Sequence, residues 1–404
     1  MPPLPPMATI AALLVERGRL RLRGLTPRRG AIDAALVAKS DACYSLSTGL
    51  AMVDAISGAL FQSRSTRFAL DCGDPARVTR ALAIEACFVS AWGSRTRPRA
   101  EPIIDAATAL AAEIGEPMMI GFAETARGIC TTQWGQFRRG VEHCDRALAI
   151  FREHCAGVAW EERTSEVFSI WSLAWIGDWG EVARRCEALA RAGDATGERY
   201  TTMHSAIGSA IVGQLAADNP ERARARLDEV MAGWPTDRFD LLRLRELVAV
   251  TYVDNYELRG TEALTRLRTH WKDLTRARML DLEPVHVTLG DLRMRAAINA
   301  KDWDEVRTWS KRLGTVPFAR GLAHLGQAAL AHRAGNTQAT LDALATAEIA
   351  AHVGGMELHS LAARHQRGML AADRTAVESA ITGAKQMGIA NPPRAFGALA
   401  PGLT

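Results

Sequence analysis

Aromatic side chains are scarce: Phe, Trp and Tyr together make up 6% of the 404 residues, with four tyrosines. A β-sandwich, which draws on aromatic and β-branched residues, fits that composition poorly, whereas abundant Ala, Leu and Arg lose little on entering a helix. The expected class is all-α. Lysine is scarcer still, since Lys39, Lys272, Lys301, Lys311 and Lys385 are the five among 49 basic residues and leave 44 arginines. With so much Ala, this reads as coding bias rather than phosphate chemistry. Excess charge of one sign is also missing. Forty-nine basic against 45 acidic residues give +4, too even for a dedicated nucleic-acid binder with a concentrated positive face.

No apolar run approaches the ~18 residues needed to span a bilayer, because Arg, Asp or Glu interrupts every candidate. The uncharged, proline-rich start (residues 1–6) and the apolar stretch 10–15 precede the arginines, whereas a secretory signal places positive charge first. A cytoplasmic protein without a membrane partner is expected. The seven cysteines, at 43, 72, 87, 130, 144, 155 and 186, form no C-x-x-C pair. They are expected to be reduced thiols packed as small hydrophobes, with a metal or nucleophilic role as the alternative.

Chemical motifs are missing as well. There is no G-x-x-x-x-G-K-[ST] to cradle phosphates and no H-E-x-x-H, and His352 and His359 have no carboxylate completing a ligand set. A G-x-S-x-G elbow is absent, and His365-Gln366-Arg367-Gly368 lacks the catalytic Asp and downstream Asn of a kinase loop. The expectation is no catalytic residue, no metal site and no cofactor.

What is present is a period. Hydrophobic residues at 48%, charged residues at 23% and a mean hydropathy of −0.05 describe a chain with a sizeable core. Its length suits two or three domains or one long repeat array. Apolar helix patterns break at small Gly/Asp/Asn turns and resume as charged helix patterns. With Ser94, Gly135, Asp178, Asn219, Gly260, Asp302, Asn336 and Asp373 as markers, successive turns are 41, 43, 41, 41, 42, 34 and 37 residues apart. Asn219-Pro220-Glu221 supplies a cap, a proline at the first helical position and an acid in the first turn, and Asp178 and Asp302 are placed to cap similarly. Hairpins of this size imply a tetratricopeptide-like or HEAT-like α-solenoid in which no hairpin buries its stripe without its neighbours. The expected organisation is a proline-rich start and arginine-rich arm or helix over 1–30, then an array of about eight to nine hairpins over 31–404. Arg17, Arg19, Arg21, Arg23, Arg28 and Arg29 carry no acid between them. They read as a solvated helix or short extended segment, or as a basic arm for an acidic partner.

The run Ala42-Cys43-Tyr44-Ser45-Leu46-Ser47-Thr48-Gly49-Leu50-Ala51-Met52-Val53-Asp54, with Phe61-Gln62-Ser63-Arg64, Cys72-Gly73-Asp74-Pro75 and Arg80 to Ala86, resembles the C-terminal region of large multidomain bacterial serine/threonine protein kinases. Further matches are Gly157-Val158-Ala159-Trp160-Glu161, Ala216-Ala217-Asp218-Asn219-Pro220-Glu221 and Gly388-Ile389-Ala390-Asn391-Pro392. The resemblance implies a tetratricopeptide-like tail that follows a kinase domain and often an ATPase-like region. Because the chain starts where that tail would start, it implies a split or truncated product and no catalytic residue to carry over.

Three functions follow as expectations. The first is a regulatory or scaffolding module that binds a protein or peptide, including a kinase or ATPase module. The others are a part of an active kinase or ATPase encoded upstream, and a small-ligand sensor. First helices expected near 161–176, 199–216, 239–258 and 285–300 would line a groove whose polar interruptions are His204, Arg243, Glu246, His286 and Arg293, with Thr201 and His324 as lesser members. An acidic or phosphorylated segment would suit it, and solvated helix faces explain the same residues equally well. Trp134, Trp171, Trp175, Trp179, Trp303 and Trp309 are expected mainly to pack between hairpins.

Overall fold

The computed structural model describes residues 6–28, 30–50, 54–234 and 239–403. The proline-rich start over 1–5, Arg29, residues 51–53 of the kinase-tail resemblance and Thr404 lie outside the described residues. Among the described residues every regular element is helical, with no strand, and the heaviest packing joins helices that follow one another in sequence. The chain is thus an all-helical protein of consecutive helix pairs.

The turns explain the pairing. At five of the eight sequence markers a side chain caps the next helix: Asp178, Asn219, Asp302, Asn336 and Asp373 accept from the amides of Glu181, Arg222, Glu305, Ala339 and Ala376, at 2.9–3.2 Å. In each case the preceding residue has a left-handed backbone, with φ of 97° at Gly177, 58° at Asp218, 60° at Lys301, 70° at Gly335 and 55° at Ala372. One left-handed residue reverses the chain and one cap starts the next helix, and each such cap contributes about 1 kcal/mol. The turn at Leu258 keeps the left-handed residue, φ 59°, while Arg259 makes no side-chain cap.

The described chain separates into two compact units. The first takes residues up to 133, 142–166 and 240–242, and the second takes 134–141, 167–239 and 243 onward. In the first unit the arginine-rich segment is the helix Pro6–Arg23, and it is fastened rather than free: Arg17 pairs with Glu85 at 2.5 Å and Arg23 with Asp71 at 2.7 Å. Arg77 and Arg80 both reach Asp41, and Arg80 also lies 3.9 Å above the Tyr44 ring.

The second unit contains the hairpins Leu241–Tyr256, from residue 243 onward, with Gly260–Arg276, Glu283–Asn299 with Trp303–Leu313, Arg320–Arg333 with Thr337–Val353, and Glu357–Leu370 with Arg374–Gln386, ending in the short helix Pro392–Leu399. Its core runs from Phe137 and Trp175 through Trp309 and Phe318 to Met356. Trp134, Trp175, Trp179 and Trp309 are all buried, so these rings fill the stack.

The helix expected over 199–216 is broken into Arg199–His204, Gly208–Ile211 and Val212–Leu215. Ile207 is extended and Gly208 turns left-handed at φ 63°. The break makes room for the Arg245 side chain, whose Nε would lie 3.1 Å from any Cβ at Gly208.

This unit also returns on itself. The Gly180 amide donates to the Met387 carbonyl at 2.9 Å and the Ala390 amide to the Ala216 carbonyl at 2.8 Å. A Cβ at Gly177 would stand 2.1 Å from the Cβ of Leu358. Two substitutions test this geometry in opposite directions. Gly177→Ala combines a clash with a left-handed backbone and should cost about 2–4 kcal/mol. Ala372→Gly relieves a left-handed alanine and should leave stability unchanged or raise it by up to about 1 kcal/mol. Urea unfolding of both variants measures the two changes.

Candidate functional site

The five residues expected to line a groove are not assembled into one. His204 is buried at the end of its short helix, where the Arg245 guanidinium donates to Nδ1 at 2.5 Å and the Tyr200 ring stands edge-on at 4.4 Å. Burial pushes the Arg245 guanidinium down to about 10. Arg243 and Glu246, one turn apart, form an ion pair with each other. Thr201 donates to Glu198 at 2.7 Å, and His324 pairs with Gln327 at 2.9 Å.

His286 and Arg293 do meet, through Trp309. The His286 ring lies 5.2 Å from that indole, and burial, aided by Arg312, pushes its pKa down. Arg293 stacks 4.1 Å above Trp271 and pairs with Glu305. Burial alone would raise the Glu305 carboxyl, but hydrogen bonds from Arg293 and Arg268 outweigh it and hold the carboxyl below the usual range. Arg293 therefore ties the first helix of its hairpin to the second and to the helix before it.

A different set of polar side chains converges in the interior of the second unit. Arg295 lies two residues beyond Arg293, about 200° around the helix. It forms an ion pair with Asp291 at 2.6 Å, the two side chains being 3% and 2% exposed. Its Nη1 donates to the main-chain carbonyl of Ala398 at 3.2 Å, and its guanidinium sits 5.4 Å from the Tyr252 ring. Gln366 donates to the carbonyl of Ala400 at 3.3 Å, and Asn255 to that of Leu292 at 3.0 Å. His359 stacks on Trp175 with centroids 6.1 Å apart. Neither ring nitrogen of His359 has a hydrogen-bond partner among the described residues, nor does Oε1 of Gln366 or Oδ1 of Asn255.

Burial sets the protonation of this cluster. It pushes the Tyr252 hydroxyl up to about 12 and raises the Asp291 carboxyl against the pull of Arg295. It pushes His359 down to about 3, with the Arg295 charge adding to the effect. A neutral imidazole, a phenol and one internal ion pair make a hydrogen-bonding surface rather than an acid–base pair poised near neutrality. The thiols point the same way. Burial raises Cys43 and Cys155, and the hydrogen bond with Cys130, followed by burial, raises Cys87, which disfavours the reactive thiolate. No group of three His, Cys, Asp or Glu among the described residues is arranged to hold a metal ion, and no described helix is long and apolar enough to cross a membrane.

No family model matches this chain, and no curated protein does either. The geometry therefore carries the functional argument. Beside the interior cluster runs an open groove of about 540 Å³ whose walls include Tyr256, His365, Gln366, Met369, Val377 and Gly397. Sequence reasoning missed Asp291, Arg295, Tyr252, His359 and Gln366. The available signal was an acid and an arginine four residues apart in a helix apolar on nearly every other side.

Two measurements separate the outer ion pairs from the interior cluster. Arg293→Ala strips Glu305 of its stacked partner and should lower stability by about 2–3 kcal/mol in urea, with Arg268 limiting the loss. For His359 the unfolded chain takes up a proton at 6.5, well before the folded chain. Its contribution is intact above pH 6.5 and is lost as pH falls from 6.5 toward 3, at about 1.4 kcal/mol per pH unit. Asp291 acts in the opposite sense, so comparison with His359→Gln isolates the histidine. Between pH 7.5 and pH 5 the native chain should lose about 2 kcal/mol more than that variant.

Proposed function

We propose that the chain is a non-catalytic, tetratricopeptide-like α-solenoid module that binds a polypeptide segment of a partner in its second unit, in the cytoplasm. The observation that carries this reading is the pair of hydrogen bonds from Arg295 and Gln366 to main-chain carbonyls of Ala398 and Ala400. Side chains of two hairpins grip the backbone of a segment from outside both, as an array grips a peptide. The regular turn chemistry supports the stacking, because in three of the four hairpins of this unit the second helix starts from a left-handed residue and a side-chain cap. The sequence resemblance to kinase tails nominates a kinase or ATPase module as the partner, and a regulatory or scaffolding role in signalling follows from that nomination.

The test is selection of random displayed segments of about fifteen residues on the full chain, long enough to cross several hairpins. Recovered segments should share a pattern. Met369→Asp, which alters an exposed wall of the groove, should weaken them about tenfold, equivalent to ~1.4 kcal/mol. Segments indifferent to that change, or no segments at all, would sink the reading. Magnesium-dependent ATP hydrolysis by the purified chain would replace it with the enzymatic one.

A further inference from the structure

Thirteen residues at the end of the second unit, 391–403, lie across the interior cluster as a strap. Asn391 caps the helix Pro392–Leu399, and beyond it the chain continues without regular structure to Leu403. The strap touches several first helices. Arg295 of Glu283–Asn299 holds the Ala398 carbonyl, and Gln366 of Glu357–Leu370 holds that of Ala400. The Phe396 ring, fully buried, packs 4.8 Å from His365. A Cβ on Gly402 would meet Ile298 at 2.5 Å and Ala329 at 3.9 Å. A segment that crosses successive hairpins and presents its backbone to their side chains is placed as a bound peptide is placed.

Its attachment is concentrated at one carboxylate. Asp218 accepts from the Tyr256 hydroxyl at 2.8 Å, the Asn391 amide at 2.8 Å and the Arg394 guanidinium at 2.9 Å. Arg394 also lies 4.8 Å above the Tyr256 ring. Phe396, Leu399 and Leu403 are its large apolar anchors, and the rest is Asn, Arg, Pro, Ala and Gly. Few large side chains must order the whole strap, so the polar ties weigh heavily in holding it. Two features favour exchange. The open groove lies along one flank of the strap, giving an incoming segment a landing site. Under the strap, Gln366 keeps its Oε1 without a hydrogen-bond partner, which a ligand with an additional donor would satisfy.

We propose that residues 391–403 are a built-in occupant of the peptide groove, latched at Asp218, and that the groove's external ligand is a segment of the same chemistry that displaces them: a helix start with a cation for Asp218, then one aromatic anchor among small residues. This rests on the interaction reading above and adds its regulation. The strap makes the groove self-inhibited, and the latch sets the threshold for opening.

The experiment uses the full chain and a fluorescein-labelled peptide of residues 389–403. Asn391→Ala with Arg394→Ala, and separately Phe396→Ala, weaken the strap while leaving intact every groove residue outside the strap. Each variant should bind the native-sequence peptide at least about tenfold more tightly than the unaltered chain, because competition in cis is relieved. A peptide carrying the Phe396→Ala change should bind none of them. Hydrogen exchange supplies the second readout: amides of 394–400 should exchange faster in the variants while those of 283–299 keep their protection. The proposal is overturned if the strap amides open and no peptide binds, or if in every variant the strap opens only with global unfolding. It is likewise overturned if the chain exchanges straps with a second copy to form a dimer. Displayed segments that bind the groove with the strap in place would reject the strap as inhibitor and leave the interaction reading standing.

Discussion

An Asp or Asn side chain that accepts the amide three residues ahead, directly after a residue with left-handed backbone, turns five helices of the second unit back on their predecessors. The pairing of helices depends on this local arrangement at Asp178, Asn219, Asp302, Asn336 and Asp373. Each cap satisfies an amide that the start of a helix would otherwise leave without a partner. The left-handed residue fixes the direction in which the new helix sets out. Asp218, Lys301 and Ala372 adopt that backbone without being glycine, so the packing of the hairpins sustains a conformation their side chains disfavour. Asp218 has a further use, since its carboxylate ties down Asn391 and Arg394. Burial alone would raise that carboxyl, but the hydrogen bonds from Asn391, Tyr256 and Arg394 outweigh it and hold it below the usual range.

The interior of the second unit follows from what the stacked first helices bring together. Glu283–Asn299 is buried around most of its circumference, including Asp291 and Arg295. A buried ion pair is weak evidence for stability, because desolvation of the two charges offsets most of their attraction. Here the arginine has another occupation. Its donor to the Ala398 carbonyl satisfies a group that would otherwise be buried without a partner, so a pair of doubtful worth to stability is well placed to recognise a backbone.

The hairpin turns were legible in the sequence because they are local: Gly-Asp, Asp-Asn-Pro and Lys-Asp-Trp carry their own instruction in three or four residues. The interior cluster was not legible, and the reason is angular. Arg293 and Arg295 differ by two positions, yet one reaches Trp271 and Glu305 while the other reaches Asp291 and the Ala398 carbonyl. Arg243 and Arg245 show the same division, one pairing with Glu246 and the other with His204. A helix phase uncertain by one or two residues exchanges the two faces. The return of the unit on itself was hidden for another reason. Contacts such as Gly177 with Leu358 and Gly180 with Gly388 join positions about two hundred residues apart, and a period along the chain contains nothing about which distant turns will meet.

The imbalance of arginine over lysine acquires a physical use in this packing. Arg293 pairs with a carboxylate while lying over an indole, Arg80 does the same with Asp41 and Tyr44, and Arg394 with Asp218 and Tyr256. A planar guanidinium offers donors in its plane and a weakly hydrated face above it, so one side chain joins an acid on one helix to an aromatic ring on another. An ammonium has no such face and holds its water more tightly. In a chain with few aromatic residues, several rings gain a second role as the platform for a cation. The same geometry consumes charge that composition alone would assign to the surface, which is why a count of arginines describes the joints between helices rather than a basic patch.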